Sequence, residues 1–132
     1  METFEVRTGR RSDLRDITGQ VNAVIQNSNV PSGVATVYVP HTTAGITINE
    51  NADPSVVADI QASLDKLVPW NESFYRHGEG NSAAHIKGSL MGSSVQIPIE
   101  DGRLVLGTWQ GIYFCEFDGP RTRRVHVQIV SS

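Results

Sequence analysis

The sequence has a single cysteine, Cys115, so no disulfide can close within the chain. No apolar run approaches the 18 residues of a membrane-spanning helix. The first residues, Met-Glu-Thr-Phe-Glu-Val-Arg, lack the apolar centre of an export signal. These absences lead us to expect a reducing, cytoplasmic setting. Charge is also scarce in net terms: 11 Lys and Arg against 14 Asp and Glu leave −3, with a pI near 5.7. Such a balance gives no global field to attract nucleic acid or an anionic membrane, so neither is expected as a partner. There is no Gly-Lys-Ser/Thr of a phosphate-binding loop. Ser89, Ser93 and Ser94 lack the Gly-x-Ser-x-Gly elbow of a serine hydrolase. No repeat, linker or low-complexity stretch divides the chain.

What is present is globular and rich in turns. The 132 residues are 39% hydrophobic, with 12 glycines and 6 prolines. That length suits one domain, able to bury about two-thirds of its unfolded surface. Residues 3–8 alternate with Phe4 and Val6 on one face, as a strand does. Residues 16–28 change to helical spacing, with Ile17, Val21, Val24 and Ile25 on one side and Thr18 as the expected cap. Pro31 and Gly33 end that helix. Residues 34–39 and 42–49 read as strands separated by Pro40-His41. Asp53-Pro54 is a helix start, with the acid as cap and proline at the first turn. Val56, Val57, Ile60, Leu64 and Leu67 then form the apolar stripe of a helix reaching about residue 68. A polar loop over 71–80 precedes a short helix over 83–91. Asp101-Gly102 predicts a tight hairpin between residues 95–99 and 103–106. Residues 109–117 and 122–130 predict a second hairpin around Asp118-Gly119-Pro120-Arg121. The order implies a single α+β domain over residues 1–132, a largely antiparallel sheet or sandwich with two longer helices and one short helix.

The polar residues are unevenly placed. The stretch 41–54, His-Thr-Thr-Ala-Gly-Ile-Thr-Ile-Asn-Glu-Asn-Ala-Asp-Pro, surrounds a short apolar strand with metal- and anion-binding side chains. A second cluster, over 77–91, contains His77 and His85. The spacing of His41, His77 and His85 is not that of a zinc finger, but imidazoles beside a carboxylate suit zinc or another divalent ion. Glu50 has two readings, a metal ligand or general base, and a solvated turn carboxylate. Asp53 has the simpler role of helix cap. Gly78-Glu79-Gly80-Asn81-Ser82 before a helix can set backbone N–H groups against a phosphate, with Lys87 adding charge one turn on. Arg121 and Arg123 project to one face of a strand and can grip a phosphate or carboxylate, whereas Arg124 faces the other way. Trp109 either borders a ligand or packs in a core. Cys115 reads as a small buried side chain, and His126 as a structural residue on the far face of its sheet.

Four blocks together carry a resemblance. Residues 41–54, Ala-His-Ile-Lys-Gly-Ser-Leu-Met-Gly-Ser-Ser at 84–94, Leu-Gly-Thr-Trp-Gln-Gly-Ile at 106–112 and Phe-Asp-Gly-Pro-Arg at 117–121 resemble the YjbQ family in order and spacing. The resemblance implies a β-rich α+β fold, a homotrimer and a polar pocket near the histidines. It also implies the family's label of secondary thiamine-phosphate synthase, which joins a pyrimidine pyrophosphate to a thiazole phosphate with loss of pyrophosphate. His41 and His85 match family positions expected to hold a metal or an anion, and Glu50 and Arg121 also fall within matched motifs.

Three functions follow. In the first, the chain is an enzyme of phosphorylated small molecules, in which His41, His77 and His85 hold a divalent ion, zinc or magnesium. Glu50 and His85 would act in catalysis, while Lys87, Trp109, Arg121 and Arg123 hold the ligand. The second is a non-catalytic trimer that binds a metal or anion. In the third, a structural assembly, the histidines pack subunit contacts. The absence of an Asp-rich pyrophosphate motif counts against the first. The absence of an exposed apolar helix face counts against the third.

Overall fold

Residues 112–117 are buried without a break, and alternating side chains of a strand point to opposite faces, so this strand must be covered on both sides. The structure, a computed structural model, describes all 132 residues and shows what covers it. In chain order the elements are β1 (Glu2–Arg7), β2 (Asp13–Asp16), α1 (Thr18–Ser28), β3 (Gly33–Tyr38), β4 (Ala44–Glu50) and α2 (Pro54–Leu67). They are followed by α3 (Ser82–Met91), β5 (Ser94–Glu100), β6 (Arg103–Leu104), β7 (Gln110–Glu116) and β8 (Thr122–Ser131). The strands form two antiparallel sheets, a five-stranded one ordered β1-β8-β3-β5-β6 and a three-stranded one ordered β2-β7-β4.

Central strand β7 sends Ile112 and Phe114 into a core between the sheets. There they meet Val37, Ile97, Val125 and the apolar stripe of α1, Ile17, Val21 and Ile25. Its other face carries Tyr113 and Cys115, which Leu64 of α2 and Ala84 of α3 cover. The layers therefore run from the large sheet, through the main core with α1, to the small sheet and then α2 and α3. No helix is long and apolar enough to cross a membrane.

Local signals mostly act as their chemistry dictates. Asp53 caps α2 by accepting from the Ser55 N–H at 2.9 Å, with Pro54 in the first turn. Asp101-Gly102 makes the two-residue β5–β6 turn, both residues at positive φ. At α1 the expected cap is displaced: Thr18 is inside the helix, and Asp16 accepts from its N–H and hydroxyl. Asp16 itself ends β2, a four-residue strand too short for periodicity to reveal.

One expectation fails outright. Residues 110–116 and 122–131 do not form a hairpin, because β7 pairs with β2 and β4 whereas β8 pairs with β1 and β3. The Asp118–Arg121 turn carries the chain from one sheet to the other. Local turn chemistry predicts a reversal; it does not say whether the strand beyond stays in the same sheet.

Candidate functional site at the sheet crossings

The chain passes between the two sheets three times at one end of the sandwich. Residues 8–12 link β1 to β2, residues 39–43 link β3 to β4, and residues 117–121 link β7 to β8. The crossings are tied together by main-chain bonds: Thr8 N–H to Arg121 O at 2.9 Å, Gly119 N–H to Arg11 O at 3.1 Å and Phe117 N–H to Thr43 O at 3.2 Å. A Cβ on Gly119 would lie 2.3 Å from Arg10 O, so the crossings can approach this closely only with glycine there.

Buried charge fills the space between them. Glu116 is 0% and Arg123 4% exposed, each on the inward face of its strand. Arg123 donates through Nε to Glu116 Oε1 at 2.9 Å and through Nη2 to Glu116 Oε2, and it also reaches Thr43 Oγ1 at 2.8 Å. The Thr8 hydroxyl and the Asp118 N–H complete the carboxylate's partners at 2.7 and 3.1 Å. Burial alone would raise the Glu116 pKa. The bonds from Arg123, Thr8 and the Asp118 amide outweigh it and hold the carboxyl below its ordinary range.

His41 stands at the rim of this network. The register of β3 against β8 would place Pro40 opposite Arg124, but the chain leaves the sheet there and the Arg124 N–H loses its ladder partner. His41 Nε2 accepts that N–H at 2.9 Å. Its lone pair is thus occupied, and the neutral ring carries its proton on Nδ1. Burial first, and then the Arg123 charge, lower the His41 pKa from 6.5, so the ring is neutral at pH 7.

α3 brings in the second histidine. Gly88 lies against Ala44, where an added Cβ would sit 3.0 Å from Ala44 O, and one on Gly45 would sit 2.8 Å from Met91 Cβ. The close seating sets His85 beside His41 and Thr42. The loop before α3 adds His77, whose ring centroid is 5.2 Å from that of His85, edge to face.

A cavity of about 470 Å³ results, lined by His41, Thr42, Thr43, His77, Glu79, Asn81, His85, Asp118, Arg121 and Arg123, with Pro40 at its edge. Arg121 is positioned by Asp118, donating to its carbonyl at 2.9 Å and its carboxylate at 3.2 Å. Two arginines face two carboxylates, Glu79 and Asp118. The cavity is therefore no general trap for anions; its selectivity lies in directed N–H donors. On the far side of the histidine pair, Phe74 and Ile86 line an apolar hollow of about 440 Å³.

Five of the expected site residues meet here: His41, His77, His85, Arg121 and Arg123. Glu50 does not join them. It ends β4, opposite Gln110, where its carboxylate accepts from the Asp53 N–H at 3.3 Å. Six strand steps from Ala44 put it roughly 20 Å away. Lys87 is also elsewhere, buried against Asp65 of α2 with its Nζ over the Phe117 ring. Trp109 lies in the turn before β7, 62% exposed and at the Glu50 end. Asn81, Asp118, Thr43 and Glu116 were missed as site residues. Asp118 belongs to the 117–121 block, where its turn-forming role hides it, and Asn81 belongs to the 78–82 loop, whose expected contribution was backbone N–H groups and not this side chain.

A three-histidine ion site fits poorly, since the His41 Nε2 lone pair is taken and no three His, Cys, Asp or Glu side chains are grouped closely enough to share one ion. His77 and His85 can supply two nitrogens.

The family model described as "UPF0047 protein YjbQ-like" matches residues 2–132. The chain belongs to the YjbQ/UPF0047 family. Among family members, UPF0047 protein YugU of Bacillus subtilis is 52% identical over 130 residues, 98% of each chain. UPF0047 protein MJ1081 of Methanocaldococcus jannaschii is 56% identical over 127 residues, covering 96% of this chain and 91% of that one. A crystal structure of an uncharacterized YjbQ/UPF0047 family protein from Clostridium acetobutylicum superposes with a TM-score of 0.96 at 56% identity, covering 98% of this chain and 100% of that one. A protein of unknown function from Sulfolobus solfataricus gives 0.94 at 32% identity, covering 99% and 96%. The YjbQ names carry no activity.

Proposed function

We propose that the cavity at the sheet crossings holds the phosphate of a small phosphorylated molecule, and that the chain acts as a transferase of the thiamine-phosphate synthase type. The observation that carries this reading is the His41–Arg124 bond. It leaves the His41 Nδ1–H as a donor in a cavity that Arg121 and Arg123 also line. In both guanidiniums Nε and Nη2 are committed to protein acceptors, which fixes their planes and leaves Nη1 over for a ligand oxygen. Fixed donors stabilise charge that grows on a leaving pyrophosphate without reorganising at the moment of reaction. The C–O bond from the pyrimidine's methylene to pyrophosphate breaks, the thiazole nitrogen forms the new C–N bond, and the electron pair leaves with the pyrophosphate. His85, beside His41, is placed to donate a proton to that leaving group. Glu50 has no part in this scheme within one chain.

The test is formation of thiamine phosphate from the pyrimidine pyrophosphate and thiazole phosphate by purified protein, compared with Arg121→Ala and His85→Ala. The reading expects turnover in the wild type and a loss of at least about 100-fold in each variant. Equal rates in all three would remove it.

A second reading, a non-catalytic metal- or anion-binding protein, is favoured by the His77–His85 pair. A divalent ion there, zinc or magnesium, would supply charge neutralisation. Metal analysis of wild type against His85→Ala tests it, since equal content removes the ion. Both readings take the working form as a cytoplasmic homotrimer, which light scattering on purified protein checks for assembly.

A further inference from the structure

Asn81 is buried at the start of α3, 8% exposed, and lines the same cavity. Its amide has one possible orientation. Asp118 Oδ2 already accepts from Arg121 Nη2 at 3.2 Å, and it lies 2.9 Å from Asn81 Nδ2. A carboxylate only accepts, so Asn81 must turn its NH2 group towards Asp118 and its Oδ1 away. Asn81 makes no side-chain cap to α3, so Oδ1 finds no partner in the helix either. It is the one buried side-chain polar atom in the chain without a hydrogen bond. An acceptor left in that state costs stability that a bound donor would return.

We infer that Asn81 Oδ1 reads a hydrogen-bond donor, a hydroxyl or an amine, on the phosphorylated ligand, with Asp118 as the positioning residue that aims it. This rests on the phosphate reading above and narrows its substrate class to phosphate esters bearing an O–H or N–H group close to the phosphate. The cavity's composition agrees. Arg121, Arg123 and His41 supply donors for the phosphate, while Asn81 Oδ1 and the free oxygen of Asp118 supply acceptors for the rest of the molecule. A site built around a buried acceptor discriminates strongly against analogues that leave it unpaired.

The experiment is calorimetric titration of the wild-type protein with two matched pairs of equal charge, 2-hydroxyethyl phosphate against ethyl phosphate and 3-hydroxypropyl phosphate against propyl phosphate. At least one hydroxylated ester is expected to bind roughly tenfold tighter than its partner. Asn81→Ala should abolish that difference while still binding ethyl phosphate, which also reports that the variant is folded. Equal affinities within both pairs in the wild type would overturn the role of Asn81 and leave the phosphate site standing. Failure of all four esters to bind would remove both. Equal affinities within both wild-type pairs overturn the role even if Asn81→Ala does not fold.

Discussion

The two ends of the three-stranded sheet use similar residues to different effect. At the crossing end, Glu116 pairs with Ala44 across the ladder and with Asp13 on the other side, and its carboxylate is wholly buried among Arg123, Thr8 and Thr43. At the other end Glu50 faces Gln110, beside exposed Trp109, and its carboxylate meets only a turn N–H. Both are glutamates at the ends of neighbouring strands. What separates them is the number of chain segments that converge: three crossings meet at one end and shield the charge, whereas open turns at the other leave it half-exposed. Desolvation with a paired cation makes the first glutamate a structural anchor beside a cavity. Solvation leaves the second without leverage.

The sharpest break of this contrast is removal of one partner of the buried pair. Glu116→Gln or Arg123→Ala should destabilise the fold by about 3–5 kcal/mol, whereas Glu50→Gln should change it by less than about 0.5 kcal/mol, measured by urea denaturation. Comparable losses at both ends would erase the distinction. The seating of α3 comes next. Gly45→Ala introduces a Cβ 2.8 Å from Met91 Cβ and from Gly92 O, so it should cost about 1–3 kcal/mol. It should also weaken phosphate binding by moving His85, readable by titration with inorganic phosphate. Unchanged binding with reduced stability would detach α3 from the site.

Acidification sharpens the comparison further. The Glu116 pKa is lowered in the folded state, so its stabilisation is present above the unfolded value and is lost as pH falls through the folded one. The His41 pKa is lowered too; below 6.5 the unfolded chain takes up a proton that the folded chain does not. Both therefore make stability fall on acidification, His41 first from just below 6.5 and Glu116 below the usual glutamate range. Denaturation midpoints from pH 7 to pH 3 should show both steps in the wild type. The lower one should be clearly smaller in Glu116→Gln, the remainder including the Asp53 cap, whose bonds from Ser55 also lower its carboxyl pKa, and a profile unchanged by that substitution would contradict its cause. The smallest effect is expected at Trp109, where Trp109→Ala should leave phosphate affinity within twofold.

Much of the fold was legible in the sequence because its signals are local. Asp53-Pro54, the stripe of α2 and Asp101-Gly102 each act over a few residues. The β7–β8 hairpin was misread because a turn motif does not record which sheet receives the next strand. The same limit applied to the site. His41 and Glu50 lie nine positions apart in one polar stretch, but the extended backbone of β4 carries them to opposite ends. Conversely Arg123, Asn81 and His41 are far apart in sequence and share one cavity. Lys87 has the right charge beside His85, but the helix turns it towards Asp65. Helical phase was the signal that separates the two, since two residues on a helix face different ways.

The central claim is that the crossing end, and not the Glu50 end, receives an anion through a neutral His41. Long-range proton–nitrogen NMR of the histidine rings, with and without inorganic phosphate, tests it directly. The account predicts a His41 ring protonated on Nδ1 at pH 7, with that proton shifting on phosphate addition together with Nε of Arg121 and Arg123. A His41 ring protonated on Nε2, or phosphate shifts confined to Trp109 and its neighbours, would contradict it.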